Sequence, residues 1–201
     1  LDAALLPATL NDTLAATTGV ESATVRAYMR VLRENGYLSK HGRGIAAAKM
    51  SDRDASVCLT ALAGAPRPLD VLPQVKHFSK TVFSQGDSGG LLGMLSEKGS
   101  GIDAVADLIR LYTQGLVEQH FETIEVEPAM RHSSMDVVFL TTAPVSIQFR
   151  IIKNGQLLEA RMYQDPSDDI TPPDLRSYRR VSGRTFDALA ASFHATVRED
   201  L

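Results

Sequence analysis

The chain of 201 residues contains no tryptophan, and only 6% of it is aromatic. A platform of stacked rings for single-stranded nucleic acid or sugars is therefore not expected. There is one cysteine, Cys58, which excludes an internal disulfide and fits a reducing cytoplasm. Its neighbours Val57, Leu59 and Leu62 point to a buried, inert thiol rather than a nucleophile. No apolar run approaches the length of a membrane span, and none resembles a signal peptide, so no membrane partner is expected. The first residue is Leu1 rather than Met, and a preceding N-terminal piece is expected. His41, His77, His120, His132 and His194 are scattered without the close spacing of a zinc site, and no cofactor is expected.

Net charge is small, 21 basic against 24 acidic side chains, or −3. Its distribution is uneven. Between Thr24 and Met50 lie Arg26, Arg30, Arg33, Lys40, Arg43 and Lys49, against Glu34 alone. A local positive excess on an acidic chain is the footprint of a phosphate-binding face, although arginines at helical spacing also occur on plain solvated surfaces.

The same region carries a pattern. Residues 11–50 read as a helix, a tight turn, a second helix and a glycine-containing hairpin. Asn11 or Asp12 can cap the first helix, Gly19 breaks it, and Glu21 or Ser22 caps the second, with Gly36 as its C′ residue. Ala15 is the small residue needed where the helices cross, Gly19 supplies the positive φ of the turn, and Val25 pins the second helix to the core. Leu14, Val20, Tyr28, Met29 and Leu32 take further inward positions. Tyr37 to Lys40 then reads as a strand, His41-Gly42-Arg43-Gly44 as a loop, and Ile45 to Lys49 as the return. This stretch resembles the winged helix-turn-helix DNA-binding superfamily, over about the first quarter of the chain. The resemblance implies binding of double-stranded DNA. A recognition helix meets base edges with its N-terminal residues, which puts Ser22, Ala23, Arg26, Ala27 and Arg30 at the groove. Arg33, Lys40, His41, Arg43 and Lys49 are the further expected contacts, Arg43 leading the wing toward phosphate or the minor groove.

Ser51 caps another helix to Gly64, which closes the DNA-binding unit or pairs two copies of it. Pro66 and Pro68 mark the best boundary, giving a winged-helix domain over 1–65 and an effector or oligomerisation domain over 69–201. The second part reads as α+β. It has a helix from Ile102 to Phe121, strands at 123–126 and 136–142, and a last helix capped by Ser182 or Thr185. Its clearest feature is a hairpin around Asn154-Gly155, with Ile151 opposite Leu158, Phe149 opposite Ala160 and Arg150 opposite Glu159. The expected sheet has three or four strands.

Two tracts imitate sites. Gly86-Asp87-Ser88-Gly89-Gly90 copies the residues around the nucleophile of chymotrypsin-like proteases. That chemistry needs an upstream histidine and aspartate on a β scaffold, so a loop between Gln85 and Gly93 is expected instead. Asp165, Asp168, Asp169 and Asp174 read as a solvated acidic loop. The chain is therefore read as a non-enzymatic, sequence-specific DNA-binding transcription regulator of a bacterium or phage, cytoplasmic and homodimeric. Its C-terminal part is left to dimerisation, a protein partner or a small-molecule effector. A phage-type DNA-packaging or replication-initiation subunit is the alternative.

Overall fold

A computed structural model describes residues 5–39, 49–124, 133–142, 144–167 and 177–199. The fold is α+β. Its helices among the described residues are α1 (Pro7–Thr18), α2 (Ser22–Glu34), α3 (Asp52–Gly64), α4 (Val71–Phe78), α5 (Gly101–Thr113), α6 (Leu116–Ile124) and α7 (Gly183–Glu199). The strands are β1 (Val82–Gly86), β2 (Ser133–Leu140), β3 (Ser146–Lys153), β4 (Gln156–Gln164) and β5 (Tyr178–Ser182). They form one antiparallel sheet in the order β1-β4-β3-β2-β5.

The helix at the centre is α3. Every residue from Asp54 to Gly64 is buried, so neither of its faces is left to pair two copies of the chain. Ala55, Ala61, Ala63 and Gly64 keep it thin enough to be surrounded by α2, α4, α5 and the sheet. A Cβ at Gly64 would run into the Phe78 ring, which packs edge-to-face with Phe139 of β2, ring centres 5.8 Å apart. Two ion-pair clusters fasten the start of α3 to α5: Arg53 to Asp103 at 2.7 Å, and Arg110 to Asp52 at 2.8 Å. The buried side chains form one continuous cluster, from Leu5 and Leu14 through α3 to Phe186 and Phe193. The two prolines after α3 thus end a helix without interrupting the core.

Several expectations are corrected. The first helix is not capped by Asn11 or Asp12: α1 starts earlier, with Pro7 in its first turn, where a missing N–H costs nothing. The expected long helix breaks at Gly115 (φ +73°) into α5 and α6, and α6 occupies Thr123 and Ile124, where a strand was expected. The loop expected from Gln85 begins at Asp87, because Gln85 and Gly86 end β1; β1 and β5, neither of them expected, make the sheet five-stranded.

The hairpin turn is as expected, with Asn154 at φ 51° and Gly155 at φ 76°. Its register is not. Ile152 pairs with Leu157, but a bulge then shifts the ladder, so Ile151 meets Glu159, Phe149 meets Arg161 and Ile147 meets Tyr163. One extra residue swaps the faces of everything beyond it. Arg161 is thereby turned inward, its side chain fully buried. The guanidinium lies 4.4 Å from the centre of the Phe83 ring, donates to the Asp87 carbonyl at 2.8 Å, and pairs with Glu97 at 3.0 Å. Arg161→Ala removes all three contacts and leaves a void, and should cost about 3 kcal/mol. Denaturant unfolding measures this, and a loss below about 1 kcal/mol would show that the bulge does not depend on the arginine.

Candidate nucleic-acid interface

Helices α1 and α2 are joined by Gly19, Val20 and Glu21. Gly19 sits at φ +72° and returns its N–H to the Ala15 carbonyl at 3.0 Å, a left-handed stop that a side chain would strain. Thr18 reinforces the stop from both sides: its hydroxyl donates to the Leu14 carbonyl and accepts from the Val20 N–H. Across the turn Asn11 donates to the Ser22 hydroxyl at 2.7 Å, tying the middle of α1 to the start of α2.

The second helix is sharply two-sided. Val25, Tyr28, Met29 and Leu32 are buried, and the Tyr28 hydroxyl donates to the Ala65 carbonyl at 2.9 Å. Ala23, Arg26, Arg30 and Arg33 are exposed, while Ser22 and Ala27 are half-buried beside them. Arg30 makes only a loose surface pair with Glu34 at 3.7 Å, which leaves it available to an anion. At the N-terminus Glu21 occupies the cap position, but its side chain makes no capping bond. Among the described residues the first-turn amides therefore have no side-chain acceptor, the condition in which a helix end best receives phosphate. The C-terminal end is closed as expected. Gly36 (φ +79°) donates to the Arg33 carbonyl, and Tyr37 N–H reaches back to Leu32 at 2.9 Å.

The expected wing loop, with Lys40, His41 and Arg43, lies outside the described residues, whereas Lys49 is described and exposed. Both ends of that segment are anchored. On the outgoing side Ser39 donates through its N–H and its hydroxyl to the Asp54 carboxylate, at 2.9 and 3.0 Å. On the returning side Ser51 forms a capping box with the same Asp54, and Met50 exchanges two backbone hydrogen bonds with Leu5, at 2.8 and 2.6 Å. Asp54 is only 3% exposed. One buried carboxylate thus brings the two ends of the segment together.

The structure adds cations that spacing along the chain did not reveal. Lys76, His77 and Lys80, on and just after α4, line a groove of about 620 Å³ together with Asn35 and Tyr37 at the end of α2. They are exposed, and among the described residues no acidic side chain lines that groove, although the buried Asp165 carboxylate lies close enough to Lys80 and His77 to feel their charge. In sequence they lie some forty residues beyond α2, inside a stretch of mixed character, and only the packing of α4 against α2 brings them close.

The other features lead elsewhere. Asp87 pairs with the backbone of Ala160, and Gly90 abuts the Glu159 carboxylate, so the Gly86–Gly90 tract is built against β4. Glu159 also accepts from the Leu92 N–H at 2.9 Å and meets His120 Nε2 at 2.8 Å. Among the described residues no group of histidines, cysteines and carboxylates could hold a metal ion. No helix among them is long and apolar enough to cross a membrane. No protein-family model, curated protein or solved structure matches this chain.

Two measurements follow from this geometry. Asp54→Ala removes a carboxylate that accepts from two serines and should destabilise by about 3 kcal/mol, read by thermal or denaturant unfolding. A loss under about 1 kcal/mol would mean that the segment ends are held without it. Cys58 is 1% exposed, and burial, with Asp54 nearby, pushes its thiol well above the ordinary range. The native protein should be inert to a disulfide reagent at neutral pH and release one thiol equivalent on unfolding.

Proposed function

We propose that this chain is a sequence-specific, double-stranded DNA-binding transcription regulator of a bacterium or phage, acting in the cytoplasm as a homodimer. The observation that carries the reading is the α2 surface: a three-residue turn, an uncapped N-terminus, and Arg26, Arg30 and Arg33 exposed on a helix whose opposite face is buried. In this reading the N-terminal half of α2 enters the major groove. Arg26 and Arg30 address base edges or the phosphates beside them, and Ser22, Ala23 and Ala27 are small enough to admit the helix. The α2 amides, Arg33, Lys49, Lys76 and Lys80 hold the backbone, and Lys40, His41 and Arg43 extend the contact through a wing. Two copies would read two half-sites.

The work is divided between contact types. Base contacts discriminate, while backbone contacts add affinity that is blind to sequence. Arg26→Ala and Arg30→Ala should each lower affinity for the preferred duplex about ten-fold and flatten the preference over random DNA, with thermal stability unchanged. Arg43→Ala and Lys76→Ala should weaken preferred and random duplexes alike. A preferred sequence is found by selection from a random library, and affinities by gel shift. Unchanged affinity in all four variants would overturn the reading.

A further inference from the structure

Where α1, α3, β5 and α7 meet lies a half-open cavity of about 190 Å³. One side is apolar, made by Val20 of the α1–α2 turn and by Leu59, Leu62 and Ala63 of α3. The other is polar and basic: Arg179 and Arg180 of β5, then Ser182 and Thr185 at the start of α7. Among the described residues no acidic side chain lines it. Arg180 is already engaged by Asp136 at 3.5 Å, and Arg179 gives one N–H to the Leu62 carbonyl at 2.7 Å, with further donors in its planar fork.

Thr185 is the telling residue. The residue is 4% exposed and lines the pocket, and its hydroxyl makes no hydrogen bond among the described residues. The hydroxyl is open to the pocket and can donate to an acceptor held there. It also stands in the first turn of the 17-residue α7, whose N-terminal dipole favours negative charge. A basic, acid-free wall, an unpartnered hydroxyl and a helix N-terminus converge on an anion, and the facing wall asks for an apolar body.

We propose that this cavity binds a small organic monocarboxylate. The carboxylate accepts from Thr185 and Arg179, and a compact hydrocarbon part packs on Val20, Leu59 and Leu62. Size agrees: an apolar cavity of about 150 Å³ holds benzene, so a benzoate-sized acid suits this one. The binding site itself does not depend on the DNA reading; only its consequence does. Val20 belongs to the turn that sets α2, so an occupant touches the element that would present the recognition helix.

The test uses the full chain and contains no DNA, so it can fail while DNA binding stands, and the reverse. Benzoate is titrated by calorimetry and by amide chemical shifts, with benzyl alcohol as the neutral control of similar shape. The expected result is saturable benzoate binding at or below about 1 mM, at least ten-fold tighter than benzyl alcohol, with shifts centred on Val20, Leu62 and Thr185. Thr185→Val keeps the side-chain shape and should weaken benzoate at least ten-fold while leaving benzyl alcohol unchanged. Arg179→Met should do the same, with melting curves confirming that each variant is folded. Absence of saturable binding at about 10 mM, equal affinity for the neutral control, or an unaltered constant in folded Thr185→Val would each overturn the proposal.

Discussion

The Asp54 carboxylate is the contact on which the N-terminal architecture turns. It caps α3 through Ser51 and holds the chain leaving α2 through Ser39. A buried carboxylate is stable only when its oxygens are satisfied, and here two serines from opposite ends of one segment satisfy it. The same residue therefore orders a helix start and holds Ser39 and Ser51, which flank the segment between them. Because α3 is buried along its length, anything fixed to its N-terminus inherits the rigidity of the core. Helix α2 inherits it as well, through Tyr28 and the carbonyl of Ala65.

Around α3 the molecule is organised to leave one helix face bare. The sheet and helices α4, α5 and α7 take up the apolar surface, and α1 packs on α7 with Thr13 and Ser192 hydroxyls 2.8 Å apart. Helix α2 buries four side chains on one side and keeps three arginines on the other. A face of this kind is costly to desolvate and gains nothing from the interior. On the proposed reading its value lies in a polyanionic partner, for which the uncapped helix start and the lysines on and just after α4 add further positive potential.

The parts legible in the sequence were those determined by local chemistry. Gly19, Gly36 and Gly155 occupy left-handed positions that few other residues tolerate, so the two helix stops and the hairpin turn could be read directly. The 3–4–7 spacing of Val25, Tyr28, Met29 and Leu32 identified the buried side of α2 in the same way. What escaped was set by tertiary packing. Nothing near Leu157 or Leu158 signals a bulge; the ladder shifts where Arg161 can reach Asp87, Glu97 and Phe83, residues some seventy positions away. Strand β1 is short, half polar and exposed, and only pairing with β4 defines it. Lys76 and Lys80 joined the candidate interface for the same reason, as did Thr185 in its cavity.

The most direct test of the central claim is fluorescence-anisotropy titration of a labelled random duplex across a range of salt concentrations. An interface made by α2, the cations on and just after α4 and the segment beyond Ser39 should neutralise roughly five phosphates. The logarithm of the association constant should then fall against the logarithm of salt with a slope of about −4 to −5. The account predicts binding of that steepness. Absence of binding at low salt, or an affinity indifferent to salt, would contradict it and leave the α1–α2 surface for something other than DNA.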